Sequence, residues 1–316
     1  MKSLSRCSAV LILGILLGGC GLFDEPAGKP PIEEFKQAKG RLGMASYQIV
    51  SQDALTRTYD FRLGDDATGQ IINGRFRVPQ KHGKYPVVFV LAAFESGKDV
   101  VDLLEGCDGL AIVSIDYPIQ QPDLSLLNLV PQLTALHDQG VESVGHILLT
   151  LDWLAGTPPH ETPEEMDSKN LTVAAVSFGT FTAIPAAAMD PRVSRLAVIQ
   201  GGGDLPAIVE ANAARLQLPL PPIAMGWLAR RYLSDFEPNR YIGMMSPRPV
   251  VIFASENDTD FPRATTQSLL DHAGDPKQIF WHPGEHFGFN KVPLIHELSR
   301  LALDKLYGPV CTGAGK

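Results

Sequence analysis

The chain has 316 residues, 27 of them basic and 35 acidic, for a formal charge of −8 at pH 7. Apolar residues make up 45% and charged ones 20%, the mix of a folded protein, which excludes wholesale disorder. A net negative chain without a long Lys/Arg cluster also excludes a protein that neutralises many phosphates, so no nucleic-acid partner is expected.

Residues 1–6 are short and basic and run into an apolar stretch over 9–17. That stretch is too short to span a bilayer, which takes about 20 apolar residues. A charged start, a short apolar core and small residues before a boundary make a secretory signal. The boundary, Leu17-Gly18-Gly19-Cys20, resembles the lipobox of bacterial lipoproteins. The resemblance implies cleavage after residue 19 and lipidation of Cys20; the alternative is an ordinary signal peptide with an incidental cysteine. Gly21, where an Asp would signal retention, resembles the outer-membrane sorting pattern of Gram-negative lipoproteins. The expected location is therefore the cell envelope, facing the periplasm where the host is Gram-negative. Cleavage removes Lys2 and Arg6 and no acid, so the charge falls from −8 to −10. Such a body is not held to anionic lipid by charge, and attachment to the membrane rests on acyl chains, of which two or more hold stably. Pro, Gly and charge over 21–31 read as a tether, assigned to 20–45, with the folded body over 46–316.

Residues 57–63 and 71–78 alternate apolar and polar around a polar loop, which predicts a hairpin. Continuous apolar runs at 86–91, 111–116, 171–176, 195–200, 249–254 and 278–281 predict strands buried on both faces. Helical spacing covers 141–154. A small-residue helix ends at Met189, and a closing helix over 293–307 carries an apolar stripe through Leu294, Leu298 and Leu301. This alternation predicts an α/β domain with a mostly parallel sheet and helices on both faces. Residues 204–247 break the rhythm and read as a small helical lid over one end of the sheet, too short for a domain of its own.

Ala175-Val176-Ser177-Phe178-Gly179 follows the third of these strand runs and opens a helix. Small residues two before and two after a serine let the backbone turn sharply, which exposes the hydroxyl and aims the next amide at a developing oxyanion. The helix start adds the positive end of its dipole. Here the chain resembles the α/β-hydrolase superfamily, and within it the dienelactone-hydrolase-like bacterial serine hydrolases. The resemblance runs from about Thr56 to Tyr307. It includes Gly74-Arg75-Phe76-Arg77-Val78-Pro79, Asp116-Tyr117-Pro118 and Met189-Asp190-Pro191-Arg192-Val193.

The resemblance implies Ser177 as nucleophile, then an acid, then a histidine. The stretch 255–262 resembles the family's acid loop, whose pattern selects Asp258; Glu256 and Asp260 are its near neighbours. Asp204 is the alternative, because some relatives place the acid one strand earlier. Pro283-Gly284-Glu285-His286-Phe287-Gly288 resembles the histidine loop and selects His286. His137, His146, His160, His272 and His296 default to surface residues. The oxyanion hole would take the Phe178 amide and, by position after the first long strand, the Phe94 amide. Glu95 beside it reads as a helix cap. No metal and no organic cofactor is expected: His282 and His286 would not share a helical face, and no third ligand is evident.

The function this implies is hydrolysis of a small-molecule ester or thioester through an acyl-enzyme. An acyltransferase or peptidase on the same triad, or a non-catalytic envelope binding protein, are the alternatives. The resembled fold also packs its first and last helices together, which would make Cys107 and Cys311 neighbours able to form a disulfide in an oxidising compartment.

Overall fold

The structure is a computed structural model that describes residues 29–104, 107–156, 162–288 and 292–310. Cys20, Cys311 and residues 1–19, expected from the sequence to be a secretory signal, lie outside the described residues.

The fold starts with helix α1 (Ile32–Lys39) and strands β1 (Leu42–Gln52), β2 (Thr56–Asp65) and β3 (Ile71–Pro79). These three strands form an antiparallel run rather than the two-stranded hairpin expected from 57–78. The folded body accordingly includes residues 32–45, which are not tether, and does not start near Ser46. Phe35 of α1 is fully buried, with its ring 5.8 Å from Phe236 and 6.3 Å from Tyr241. The Ala38 carbonyl lies so close to Gly145 that a Cβ there would collide with it, so a glycine is what admits α1. Lys39 then pairs with Asp152 at 2.7 Å, and Asp152 in turn takes Arg192 at 2.5 Å.

The remaining strands are β4 (Tyr85–Leu91), β5 (Ala111–Ile115), β6 (Met166–Val176), β7 (Arg195–Ile199), β8 (Val250–Asn257) and β9 (Lys277–Glu285). The sheet order is β1-β2-β3-β5-β4-β6-β7-β8-β9, parallel from β5 to β9. Side chains alternate across it, as the two-residue strand period requires. Val87, Phe89, Leu91, Val173 and Ala175 enter one core, with α2 (Leu129–Leu154) and α3 (Thr180–Met189). Val88, Val90, Ala174 and Val176 enter a second on the opposite face. Both faces are apolar, which is why these strands read as unbroken apolar runs.

The expected lid is helical. It contains α4 (Leu205–Asn212), α5 (Pro222–Leu233) and three short turns of 3₁₀ helix between Ser234 and Met245. It packs on the start of α2 through Leu129, Leu133, Ala213, Met225 and Leu228. After the lid come α6 (Arg263–His272) and α7 (Val292–Tyr307).

Cys107 is buried and disulfide-bonded. Its expected partner, Cys311, is outside the described residues, but a Cβ added to Gly109 would stand 3.2 Å from the Cβ of Val310. Among the described residues, no helix is long and apolar enough to cross a membrane.

Candidate active site

Strands β6, β8 and β9 run parallel, so their carboxyl ends come out at one edge of the sheet, where open α/β sheets carry their sites. Each is followed directly by one of the expected residues: Ser177 after β6, Asp258 after β8 and His286 after β9. Ser177 follows Val176 with φ at +51°, in the left-handed region that a side chain with a Cβ rarely occupies. Two packing requirements hold that turn. Ala175 is fully buried, and a Cβ at Gly179 would collide with the Leu91 carbonyl oxygen at the end of β4. Glycine therefore lets the serine turn press against the neighbouring strand.

Ser177 Oγ lies 2.9 Å from His286 Nε2. His286 Nδ1 lies 2.8 Å from Asp258 Oδ2. The Asp258 side chain is 3% exposed and that of His286 10%. The other carboxylate oxygen of Asp258 accepts the backbone amides of Asp260 (2.9 Å) and Phe261 (2.8 Å), so the carboxylate is fixed in orientation. The imidazole stacks with both Phe261 and Phe287, with ring centroids at 5.8 and 5.4 Å.

The other carboxylates near this point do not engage Nδ1. Asp260 stands 4.0 Å from His286 Nε2 and pairs with Arg215 at 3.0 Å. Glu256 is exposed. Asp204 caps α4, its side chain accepting the Ala207 amide at 3.4 Å. Of the acids weighed from the sequence, only Asp258 is brought to the histidine as a hydrogen-bonded partner on that nitrogen.

Phe178 occupies the first position after the serine, where helix-start amides lack an intrahelical acceptor. The Phe94 ring meets the Phe178 ring edge-on at 5.4 Å, so the two loops proposed to donate amides are adjacent. Glu95 is exposed and caps nothing: the 3₁₀ helix Gly97–Leu103 has no side-chain cap from it. Asp116 serves that turn instead, its Oδ1 accepting the Lys98 amide at 3.0 Å.

Gln200 was not singled out from the sequence. It follows β7 with φ at +49° and is 1% exposed. Its Nε2 donates to Ser255 Oγ (2.5 Å) and to the Glu285 carbonyl (3.1 Å), while its Oε1 accepts the Phe287 amide (2.9 Å). It thereby ties the loop bearing His286 to β8, the strand that leads into Asp258. His146, read as a surface residue, is buried and bonded to Gln70. Among the described residues, no group of three or more His, Cys, Asp or Glu could hold a metal ion.

No family model and no curated protein matches the chain. Solved structures do. An acetyl xylan esterase from Paenibacillus sp. R4 is 17% identical, with a TM-score of 0.62, over 84% of this chain and 92% of its own. Acetyl xylan esterase 1 from Thermoanaerobacterium sp. JW/SL YS485 is 16% identical, with a TM-score of 0.61, over 89% and 96%. A cold-adapted esterase from an Arctic intertidal metagenomic library is 16% identical, with a TM-score of 0.51, over 80% and 98%. At these identities the likeness speaks for architecture alone, and it agrees with the strand order and the left-handed serine between β6 and α3: this chain has the α/β-hydrolase fold.

Proposed function

We propose that the protein is a serine hydrolase that cleaves carboxylic esters through an acyl-enzyme. The observation that carries this reading is the unbroken relay from Ser177 Oγ through His286 to Asp258, with both hydrogen bonds under 3 Å. In the proposed cycle, His286 Nε2 takes the Ser177 proton as Oγ attacks the acyl carbon. Asp258 keeps the remaining imidazole proton on Nδ1 and supports the imidazolium. The Phe178 and Phe94 amides receive the oxyanion. His286 returns its proton to the leaving alkoxide, then deprotonates the water that clears the acyl group. The three solved neighbours are esterases by name.

The test is labelling with a fluorophosphonate probe together with ester turnover. Ser177→Ala is expected to abolish labelling and to lower kcat by about 10⁴-fold or more, as in triads that act as a unit. Asp258→Asn is expected to cost about 10⁴-fold, because it selects the wrong tautomer, and Asp204→Asn no more than a few-fold. An inactive Asp204→Asn beside an active Asp258→Asn reverses the acid assignment. Labelling of Ser177→Ala at full intensity removes Ser177 as nucleophile.

The reading extends to location. Cys20 would be lipidated and hold the hydrolase at the cell envelope. Cys20→Ser is expected to move the protein from the detergent phase to the aqueous phase, or to leave it unprocessed; unchanged partitioning defeats this.

A further inference from the structure

Two cavities of unequal size meet at Ser177. The larger, about 330 Å³, lies beneath the lid and is walled by Leu133 and Leu136 of α2, Ile208 and Val209 of α4, and Met225 and Ala229 of α5. The smaller, about 90 Å³, lies on the other side of the serine among Val90, Val100, Leu104, Val176, Ile295 and Leu303. At the liquid share of about 30 Å³ per water-sized group, the first holds about ten heavy atoms and the second about three.

The polar side chains of the larger cavity, besides Ser177, are Thr182, Asn212, Arg215 and Asp260. Three of these are committed to one another. Asn212 Nδ2 donates to the Ile208 and Asp260 carbonyls, both at 2.8 Å, and its Oδ1 accepts from Arg215 Nε at 3.2 Å. Arg215 also pairs with Asp260 at 3.0 Å. Thr182 adds a single hydroxyl, beside that of Tyr117. A sugar placed against these mostly apolar walls would strip several hydroxyls of water and recover few partners, since the charged Arg215 and Asp260 are 49% and 31% exposed, and each unmade bond costs about tenfold in affinity. A hydrocarbon gains instead, about fourfold for each methylene buried.

Resting on the hydrolase reading above, we infer that the substrate is an ester with one long and one short apolar arm. The long arm, of up to about ten heavy atoms, fills the cavity under the lid. The short arm, of up to about three, fills the cavity behind Ser177. A polyhydroxylated arm is disfavoured in both. The nucleophile attacks the shared carbonyl between them, and the two arms separate as acid and alcohol.

The experiment measures kcat/KM for methyl alkanoates and alkyl acetates of two to twelve carbons, with ethyl acetate, decyl decanoate and triacetylated methyl xyloside for comparison. Fluorophosphonate labelling of Ser177 is followed on the same full-length protein in detergent. In one of the two series, kcat/KM is expected to rise about fourfold per methylene and to break near ten carbons. The series that rises tells whether the lid cavity takes the acid or the alcohol. Decyl decanoate is expected to fall at least tenfold below the best substrate, since its second arm exceeds the small cavity. Val209→Trp is expected to move the break several carbons shorter. Met225→Ala, which only enlarges the cavity, is expected to move it longer, and it serves where the tryptophan prevents folding. If Ser177 labels but both series are flat or fall with length, the inference is overturned and the hydrolase reading stands. The same holds if the xyloside outruns ethyl acetate more than tenfold, or if the break ignores both variants. If Ser177 does not label and no ester is cleaved, the hydrolase reading fails and takes the inference with it.

Discussion

The His286 ring is held by three independent means: a carboxylate on Nδ1, stacking with two aromatic rings, and a backbone pinned through Gln200. The first two fix the plane of the ring, and the third fixes where the loop stands. Removing the Gln200 side chain leaves the Phe287 amide without its side-chain acceptor and frees the Glu285–Phe287 segment to drift. A displacement of about 1 Å at a reacting group can cost about 10²-fold. Gln200→Ala is expected to lower kcat by about 10- to 100-fold with KM little changed, measured on a soluble ester. A rise in KM at constant kcat would mean that Gln200 shapes the binding cavity instead. Ser177, Asp258 and His286 were legible because each stands in a short motif at the end of an apolar strand run. Gln200 was not, because its part depends on a left-handed backbone and a reach between two other strands, and neither leaves a mark in local sequence.

The same contrast holds for whole elements. Strands β4 to β8 were legible as apolar runs because helices cover both their faces. β1 was missed because nearly all of it is exposed, and it is a strand only through its pairing with β2. The first half of α2 was missed because Leu129 and Leu133 turn toward the lid, which local spacing does not announce. Farther along α2, His146 is buried against the β2–β3 loop. Its Nε2 bonds Gln70 Oε1 at 3.2 Å, and Gln70 Nε2 in turn bonds Glu142 Oε1 at 2.8 Å. Burial lowers the His146 pKa to about 4, with Asp65 opposing weakly, and burial raises that of Glu142. Above the ordinary value of 6.5, both the folded and the unfolded chain hold a neutral imidazole, and the helix is unaffected. Between 6.5 and about 4 only the unfolded chain takes the proton, so stability falls as pH falls through that window. Between pH 7.5 and 5 the loss from this group is about 2 kcal/mol. Urea unfolding of the parent and of His146→Gln at the two pH values is expected to differ by that amount. Parallel losses in both would assign the acid sensitivity elsewhere.

Across the described residues, α1 is the first element packed onto the core. It meets Phe236 at the end of the lid segment, α2 at Gly145, and the Asp152–Arg192 pair beside β7. A form of the protein starting at Ser46 is therefore expected to lose about 3–5 kcal/mol from Phe35 alone, the usual cost of deleting a buried aromatic ring. Thermal melts of chains starting at residues 21 and 46 measure it; equal midpoints would mean that α1 is ornamental. Its docking also sets a length. With Cys20 lipidated as proposed, only twelve residue steps separate the acyl chains from Ile32, a reach of at most about 40 Å when fully drawn out. A leader running unfolded to Ser46 would have allowed about 90 Å. If Cys20 is lipidated as proposed, so short a leash would hold the folded body within about one molecular diameter of the bilayer, in the layer just above the lipid.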